Sequence, residues 1–570
     1  MTTIVESVID QLADHGINTY FLVTGGAIAP FVDAVGLSPR AKHYCFQHEQ
    51  GAAMAAEGYY RASGKIGVVL VTSGPGAQNL LNGVCGCWFD SIPCLFITGQ
   101  VNNKESLDSI TSRPRQLGFQ EMPVASMFSE CTKFSVKMSD AESVSDIFSK
   151  ALTCMSSGRM GPAVIDFPVN IQVAPTPNQF CFKIGKNEEL DVKIPSEVFQ
   201  FIEESKRPLV IIGNGARSVK TELIEWLNVP FVTSWAAIDM VSHDHPLRVG
   251  SHGVYGDRVA NYALQNADLL VILGSRMDTR QTGGDLSLCS RESKRIMVDI
   301  DSEEISKLGE RGFTIHVPII GEVAPFIRQV RLHPMPGWMS TIDGWKAAFG
   351  TETTRAGNVY PFLESLNLPE NCIIIPDQGG NLIWTMQTAH LNGTQRLFTN
   401  LGNSSMGWAL PAAIGAAIGT DGKIPIVCIE GDGGIQMNIQ ELKTLSALGL
   451  PVTVIVLNNQ GYGIIRQFQD SYFGSRYTAT SSTEVFGTSD GMDFTKIAEA
   501  YGIPGHKTLD VVVSTTSPVV YDAPIDSTQK IFPKLEFGNS LENMTPYRTD
   551  LHKHMIVKPV SPNAVSGWVK

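Results

Sequence analysis

Short apolar runs rich in β-branched residues, each handing over to glycine or a polar turn residue, recur in three groups along the 570-residue chain. TYFLV (19–23), GVVLVT (67–72) and PCLFIT (93–98) make the first group. RPLVIIGNGAR (207–217), ADLLVILGSR (267–276) and RIMVDID (295–301) make the second. NCIIIPDQGG (371–380), IPIVCIEGDGG (424–434) and VTVIVLNNQGYG (452–463) make the third. Between them, stretches rich in Ala, Leu and Asn, such as 49–63 and 77–88, read as helices. Alternation of this kind builds a parallel sheet wrapped by helices. The expectation is therefore an α/β chain of three doubly wound parallel-sheet domains, residues 1–172, 196–332 and 355–535, followed by a C-terminal tail over 536–570. The joins are breaks in composition: 173–195 holds prolines and a charged patch, and HPMPGWMS (333–340) holds prolines and a tryptophan. Between 509 and 526 little room is left for a helix before the last strand.

A chain that is 43% hydrophobic and 18% charged can bury large cores, which excludes a mostly disordered polymer. Lys+Arg 44 against Asp+Glu 56 leaves a net charge of −12, and no basic run appears, so nucleic acid is not an expected partner. The start, MTTIVESVIDQLADHG, is acidic where a secretory signal needs a basic opening and an apolar run. The uncharged stretch 397–420 contains Asn400, Gly402, Asn403, Ser405 and Pro411, which a membrane-spanning helix rarely tolerates together. A cytoplasmic chain without a membrane segment is expected. Ten cysteines with one isolated CxC (Cys85, Cys87) read as thiols of a reducing compartment. His243 and His245 have HxH spacing but read as a solvated loop.

The most informative spacing is Gly431-Asp432-Gly433, then 24 residues, then Asn458-Asn459. Both ends follow apolar runs, with a helix expected over 438–448. A βαβ crossover would set both turns side by side on one sheet edge. The Asp432 carboxylate, the Asn459 amide oxygen and the Gly461 carbonyl then form a small set of hard oxygen donors, suited to Mg²⁺ or Ca²⁺ holding a diphosphate. Two unrelated turns are the plain alternative.

This GDG…NN pattern resembles the diphosphate-anchoring motif of the thiamine diphosphate (ThDP) enzymes. His48-Glu49-Gln50-Gly51-Ala52-Ala53 resembles their other half, in which the matching glutamate, Glu49, bonds the cofactor's aminopyrimidine and primes removal of the thiazolium proton. Taken as a lone helix-start glutamate, Glu49 would only complement a helix dipole. TSGPGAQNLLNG (72–83), SGRMGPAVIDFPVN (157–170), GSRMDTRQTG (274–283) and SMGWALPAAIGAA (405–417) narrow the resemblance to the acetohydroxyacid (acetolactate) synthases. That resemblance implies Gly25, Gly26 and Thr72 beside the cofactor in the first domain. It implies Gln378, Gly379, Gly380, Asn381, Ser404, Gly431, Gly433 and Gly434 around the diphosphate, with Met406 as the apolar wedge under the bent cofactor. It implies Phe119 and Gln120 in the catalytic loop, with an exposed loop of no catalytic duty as the alternative. For the middle domain it implies a flavin, FAD, held by Arg159, Gly213, Asn214, Gly215, the segment from His252, Arg276, Asp299 and Asp301. It also implies a site shared between subunits of a homodimer or homotetramer.

The paired histidines of simple pyruvate-type decarboxylases are missing from SLDSITSRPRQLGFQE, and HH occurs nowhere in the chain. Carboligation is therefore the favoured outcome: decarboxylation of pyruvate and transfer of the two-carbon unit to a ketone acceptor. Departures from the biosynthetic synthases bear on that acceptor. Phe468 stands at the position of a tryptophan, Ser404 at that of a glycine, and GYG follows the NNQ. Ile464 and Phe468 are the expected substrate-pocket residues. The middle insertion and the tail resemble synthase-like enzymes of branched-deoxysugar pathways, and imply a nucleotide (CDP)-linked 4-keto-deoxysugar as acceptor. A second pyruvate, giving acetolactate, stays open. So do a flavin redox enzyme and a non-catalytic binding subunit, although the latter could have lost Glu49 or Asp432 freely.

Overall fold

The computed structural model describes residues 2–185, 192–350 and 357–563. Parts of the expected first join (186–191), third domain (355–356) and tail (564–570) lie outside the described residues. The three groups of apolar runs become three six-stranded sheets, each parallel throughout. The first holds β1 (Thr19–Leu22), β2 (Lys42–Cys45), β3 (Val68–Val71), β4 (Leu95–Gln100), β5 (Phe134–Lys137) and β6 (Ala163–Pro168), in the order β2-β1-β3-β4-β6-β5. The second holds β7 (Pro208–Ile212), β8 (Phe231–Thr233), β9 (Arg248–Ser251), β10 (Leu269–Leu273), β11 (Lys294–Asp299) and β12 (Val317–Ile320), in the order β12-β11-β10-β7-β8-β9. The third holds β13 (Ile373–Pro376), β14 (Arg396–Leu397), β15 (Ile426–Gly431), β16 (Val452–Asn458), β17 (Gly505–Lys507) and β18 (Val519–Pro524), in the order β14-β13-β15-β16-β18-β17. First and third sheets trace the same path. Among the described residues no helix is long and apolar enough to cross a membrane. The uncharged stretch 397–420 holds only β14's last residue and a helix, Ala409–Gly419.

The helices that border the site are α1 (Glu49–Ser63), α2 (Leu81–Phe89), α3 (Ser302–Glu310), α4 (Gly380–Thr388), α5 (Ala409–Gly419), α6 (Glu441–Leu448) and α7 (Gly463–Tyr472). Two of them depart from expectation. The helix expected over 77–88 divides into Pro75–Gln78 and α2, because the chain tightens where Leu80 N–H donates to the Ala77 carbonyl. The helix expected from 438 begins at Glu441; before it, the Asn438 side chain accepts from Gln50 Nε2 and donates to the Gly407 carbonyl. No helix lies between β17 and β18, as the sequence suggested.

One hydrophobic cluster runs through the first and third sheets together. Its seam is α1 against α5, where Ala52, Ala53, Ala55 and Ala56 face Ala412, Ala413, Ala416 and Ala417, all buried. Two glycines set the closeness of that seam. A Cβ at Gly58 would lie 2.2 Å from the Ala412 carbonyl oxygen, and one at Gly415 would lie 1.8 Å from that of Ala55. On the same helix, fully buried Glu57 is held by Arg61, by Trp408 Nε1 (2.7 Å) and by Asn400 Nδ2 (3.2 Å). A buried carboxylate needs such partners.

A second buried carboxyl has a measurable consequence. Asp166, on β6, accepts from Thr98 Oγ1 (2.7 Å) and Gln100 Nε2 (2.8 Å) on β4. Burial pushes it up to about 7, against the pull of those two bonds and of Lys137 and with a small push from Glu121. The folded state therefore keeps a proton that the unfolded chain has released from about pH 4 upward. Stability should fall as pH rises from about 4 to 7, by about 2–4 kcal/mol from this group. The neutral amide of Asp166→Asn should flatten that slope. Denaturant unfolding of both proteins at pH 5 and pH 8 checks it, and parallel slopes would refute it.

Candidate active site

β15 and β16 lie side by side with Gly431 paired to Leu457, so the turns after them leave one edge of the third sheet together. Asp432 and Asn459 are both buried there, and Gly461 N–H donates to Asp432 Oδ2 (2.9 Å). Burial pushes Asp432 up to about 6, although the main-chain N–H groups of Gly461, Gly433 and Gln460 favour its charged form. Gly461 has φ +130°, and a Cβ on it would lie 2.4 Å from the Thr480 carbonyl oxygen, so only glycine lets the turn close. Among the described residues no three His, Cys, Asp or Glu side chains group as a metal site. A cation held here would rest on one carboxylate with an amide and a main-chain oxygen. That donor set suits a hard cation that takes its remaining ligands from a diphosphate and water.

The neighbouring β13 hands over to Asp377, whose carboxylate accepts from the N–H groups of Gly407, Trp408 and Ala409 and so fixes the entry to α5. Gln378, Gly379 and Gly380 lead into α4, whose N-terminus favours negative charge. Buried Asn381 has an unpartnered Oδ1. Ser404 explains why a glycine suits its position: its φ is +59°. Its hydroxyl compensates, donating to Gln378 Oε1 (2.7 Å) and accepting from Arg280 Nη2 (2.9 Å). Met406 follows, half-buried.

Glu49 opens α1. His48 caps the helix by accepting from Gln50 N–H, and Glu441 of the third block accepts from the His48 (3.1 Å) and Gln47 (3.3 Å) N–H groups. Asn79 Nδ2 donates to Glu49 Oε2 (2.9 Å). Thr72 packs against Gly25, where a Cβ would lie 2.5 Å from its own, and accepts from Ala27 N–H beside Gly26. Phe119 is 85% exposed, and Gln120 has φ +62° above Gly74. No hydrogen bond joins Glu49 to Asp432, Asn459 or Gly461 among the described residues. Within one chain the start of α1 and the third block are linked through Gln50–Asn438 and Glu441. Ile464 and Phe468 lie one turn apart on α7, continuing to Tyr472, and Phe468 packs on Tyr472 and on Phe537 of the tail.

The middle sheet, read from β9, runs 3-2-1-4-5-6 in its own strand numbering, the order that opens a dinucleotide crevice between strands 1 and 4. A cavity of about 750 Å³ lies there. Asn214, Gly215, Arg276, Asp299 and His252 line it together with Arg159 of the first block. Burial holds His252 down at about 4, so it stays neutral. Two expected residues stand off the cavity wall. Gly213 packs against Gly274, leaving 2.1 Å between a Cβ and the Gly274 carbonyl oxygen. Asp301 caps α3 and pairs with Arg159 (2.9 Å). Arg61, Arg217, Arg280 and Arg396 also line the cavity, and the buried Ser234 hydroxyl there has no partner. A volume of this order, several guanidinium groups and an orphan hydroxyl fit a flavin dinucleotide.

Residues 2–127 match the family described as thiamine pyrophosphate enzyme, N-terminal TPP binding domain; 196–330 match its central domain and 377–524 its C-terminal TPP binding domain. The acetolactate synthase isozyme 2 large subunit of Escherichia coli (strain K12) is 32% identical over 562 residues, covering 94% of this chain and 98% of that protein. The chain belongs to the acetolactate synthase-like ThDP enzymes. The acetolactate synthase large subunit of Pyropia yezoensis is 30% identical over 583 residues, covering 94% of each chain. A probable acetolactate synthase large subunit of Methanococcus aeolicus is 30% identical over 577 residues, covering 92% of each.

Sequence reasoning about this carboligase missed residues whose signals were present. Arg217 closes the GNGAR turn and Arg280 lies inside GSRMDTRQTG, two stretches singled out for other residues. Arg61 and Arg396 carried no local signal: helix packing brings the first to the cavity, and the short edge strand β14 brings the second.

Proposed function

We propose that this enzyme decarboxylates pyruvate and joins the resulting two-carbon unit to a ketone, with ThDP, Mg²⁺ and FAD as cofactors. The observation that supports this reading is the buried turn in which Gly461 N–H donates to Asp432 beside Asn459, at the shared edge of β15 and β16. Glu49 at the start of α1 is the other element the chemistry needs. Bound ThDP supplies a nucleophilic carbon and an electron sink for decarboxylation. Asp432, Asn459 and the Gly461 carbonyl would hold the cation, and Gln378, Gly379, Gly380 and the α4 N-terminus would take the diphosphate. Glu49 exchanges a proton with the aminopyrimidine: Asn79 fixes its Oε2, which leaves Oε1 for that exchange. Arg159, Arg276, Asn214, Gly215 and Asp299 would hold FAD, whose part is structural because the net reaction is not redox.

The acceptor we favour is a nucleotide-linked 4-keto-deoxysugar. Phe468, packed on Tyr472 and Phe537, supports it: a ring smaller than the tryptophan the resemblance places there would leave room for a bulkier acceptor without touching the proton chemistry. A second pyruvate is the other reading, favoured by the acetolactate synthase relatives. Incubation with pyruvate alone and then with a CDP-4-keto-deoxysugar, followed by product mass analysis, separates them. Little acetolactate and a branched sugar are expected; rapid acetolactate formation from pyruvate alone would remove the sugar reading. Exposed Leu81, Met437, Ile465 and Tyr477, on elements near Glu49 or the oxygen set, support a homodimer in which Glu49 of one copy serves the oxygen set of the other.

A further inference from the structure

The loop that carries Phe119 and Gln120 has almost no regular structure of its own: between β4 and Val124 the chain holds only two short 3₁₀ turns, Asn103–Glu105 and Leu107–Ser109. A segment of that length keeps one shape only if something ties its two limbs together. A single carboxylate does so. Glu121 Oε1 accepts from Ser106 Oγ (2.7 Å) and from Leu107 N–H (2.7 Å) on the outgoing limb. Its Oε2 accepts from Gly118 N–H (3.2 Å) and Leu117 N–H (3.4 Å) on the returning limb. Lys137 Nζ braces the knot from β5 by donating to Ser106 Oγ (2.6 Å) and Asp108. The limbs touch at Gly118, where a Cβ would lie 2.7 Å from the Glu105 carbonyl oxygen.

We infer that Glu121, through these four bonds, is a positioning residue for the carboligation step, which rests on the function proposed above. Gln120, next in the chain, is held at φ +62° with its carbonyl 2.8 Å from where a Cβ of Gly74 would stand, and Gly74 opens the turn whose Gly76 borders Glu49 Oε1. Closing the two limbs therefore sets Gln120 over Gly74, two residues before the Gly76 that borders the proton-exchanging carboxyl, and leaves Phe119 out in solvent to meet a substrate. Burial works to raise the Glu121 carboxyl, but the bonds from Ser106, Leu107, Gly118 and Leu117 outweigh it and hold it below its ordinary value, so it is a fixed anion at neutral pH. The α1 start has its own ties to His48 and Glu441, so loosening the loop leaves Glu49 in place.

Glu121→Gln puts an NH₂ against N–H donors on one limb. In the cofactor-free variant, the Leu107, Leu117 and Gly118 amides should lose hydrogen-exchange protection. With ThDP and Mg²⁺ bound, the rate of thiamine C2 proton exchange should stay within about twofold, while the rate of carboligation falls at least about tenfold, as a misplaced contact group produces. Ser106→Ala, which removes one donor, should give the same split at smaller size and decides the matter if Glu121→Gln does not fold. An unchanged ratio of carboligation to C2 exchange, or an equal fall in both, overturns the assignment. Parent enzyme that exchanges no C2 proton would instead count against the proposed function.

Discussion

Replacing Glu49 by glutamine should lower pyruvate turnover by about 10²–10⁴-fold, the range over which a positioned acid–base group acts, while the melting temperature changes little. The expectation follows from how the start of α1 is held. The helix cap comes from His48, and the preceding amides are taken by Glu441, so the backbone at 49 does not depend on the charge at 49. Glutamine has the same length and still offers Asn79 an oxygen. What it loses is the exchangeable proton. Read as a helix-start residue only, Glu49 would stabilise the first turn by about 0.3–1 kcal/mol and its replacement would leave turnover untouched. Steady-state kinetics and a thermal melt on one preparation separate the two, and full turnover by the variant would end the assignment.

The legible parts of this chain were those written in local pattern. Apolar runs of four to seven residues that stop at glycine announce buried parallel strands, and VTVIVLNNQGYG became β16 and its turn almost residue for residue. The GDG…NN spacing was legible because a crossover between adjacent parallel strands has few geometries. Ser404 was visible as a departure, but its reason was not: a positive φ and bonds to Gln378 and Arg280 depend on three segments of chain that meet only in the fold. Glu121 closes the stretch SLDSITSRPRQLGFQE, and its four bonds were invisible there, since two of its partners lie more than ten residues upstream. The same holds for Arg396, delivered to the cavity by a two-residue strand. Gly213 and Asp301 show how local duties overlap with expected ligand duties. Their motifs are real, but one serves strand-to-strand contact and the other caps a helix, each a local duty the same residue types perform without a ligand.

Asp432→Ala should abolish stabilisation by ThDP and Mg²⁺ without weakening the cofactor-free fold. Asp432 is the one carboxylate of the oxygen set, and its removal leaves only neutral donors, which bind a hard divalent cation poorly. The cofactor-free protein gains nothing from it: burial pushes the carboxyl up to about 6, and its hydrogen bond from Gly461 N–H only partly offsets that cost. A truncated side chain at a turn already built on Gly431, Gly433 and Gly461 should therefore leave the melting temperature of the bare protein within a few degrees of the parent, or above it. Added together, ThDP and Mg²⁺ at about a hundred times their dissociation constant should stabilise the parent by about 2.7 kcal/mol, read as an upward thermal shift, and should leave the variant where it was. Asp432→Asn, which keeps an oxygen for Gly461 N–H but no charge, should behave like the alanine in the shift and like the parent when bare. An equal shift in parent and variants would mean that the cation and diphosphate are held elsewhere, and would take the βαβ edge out of the active site.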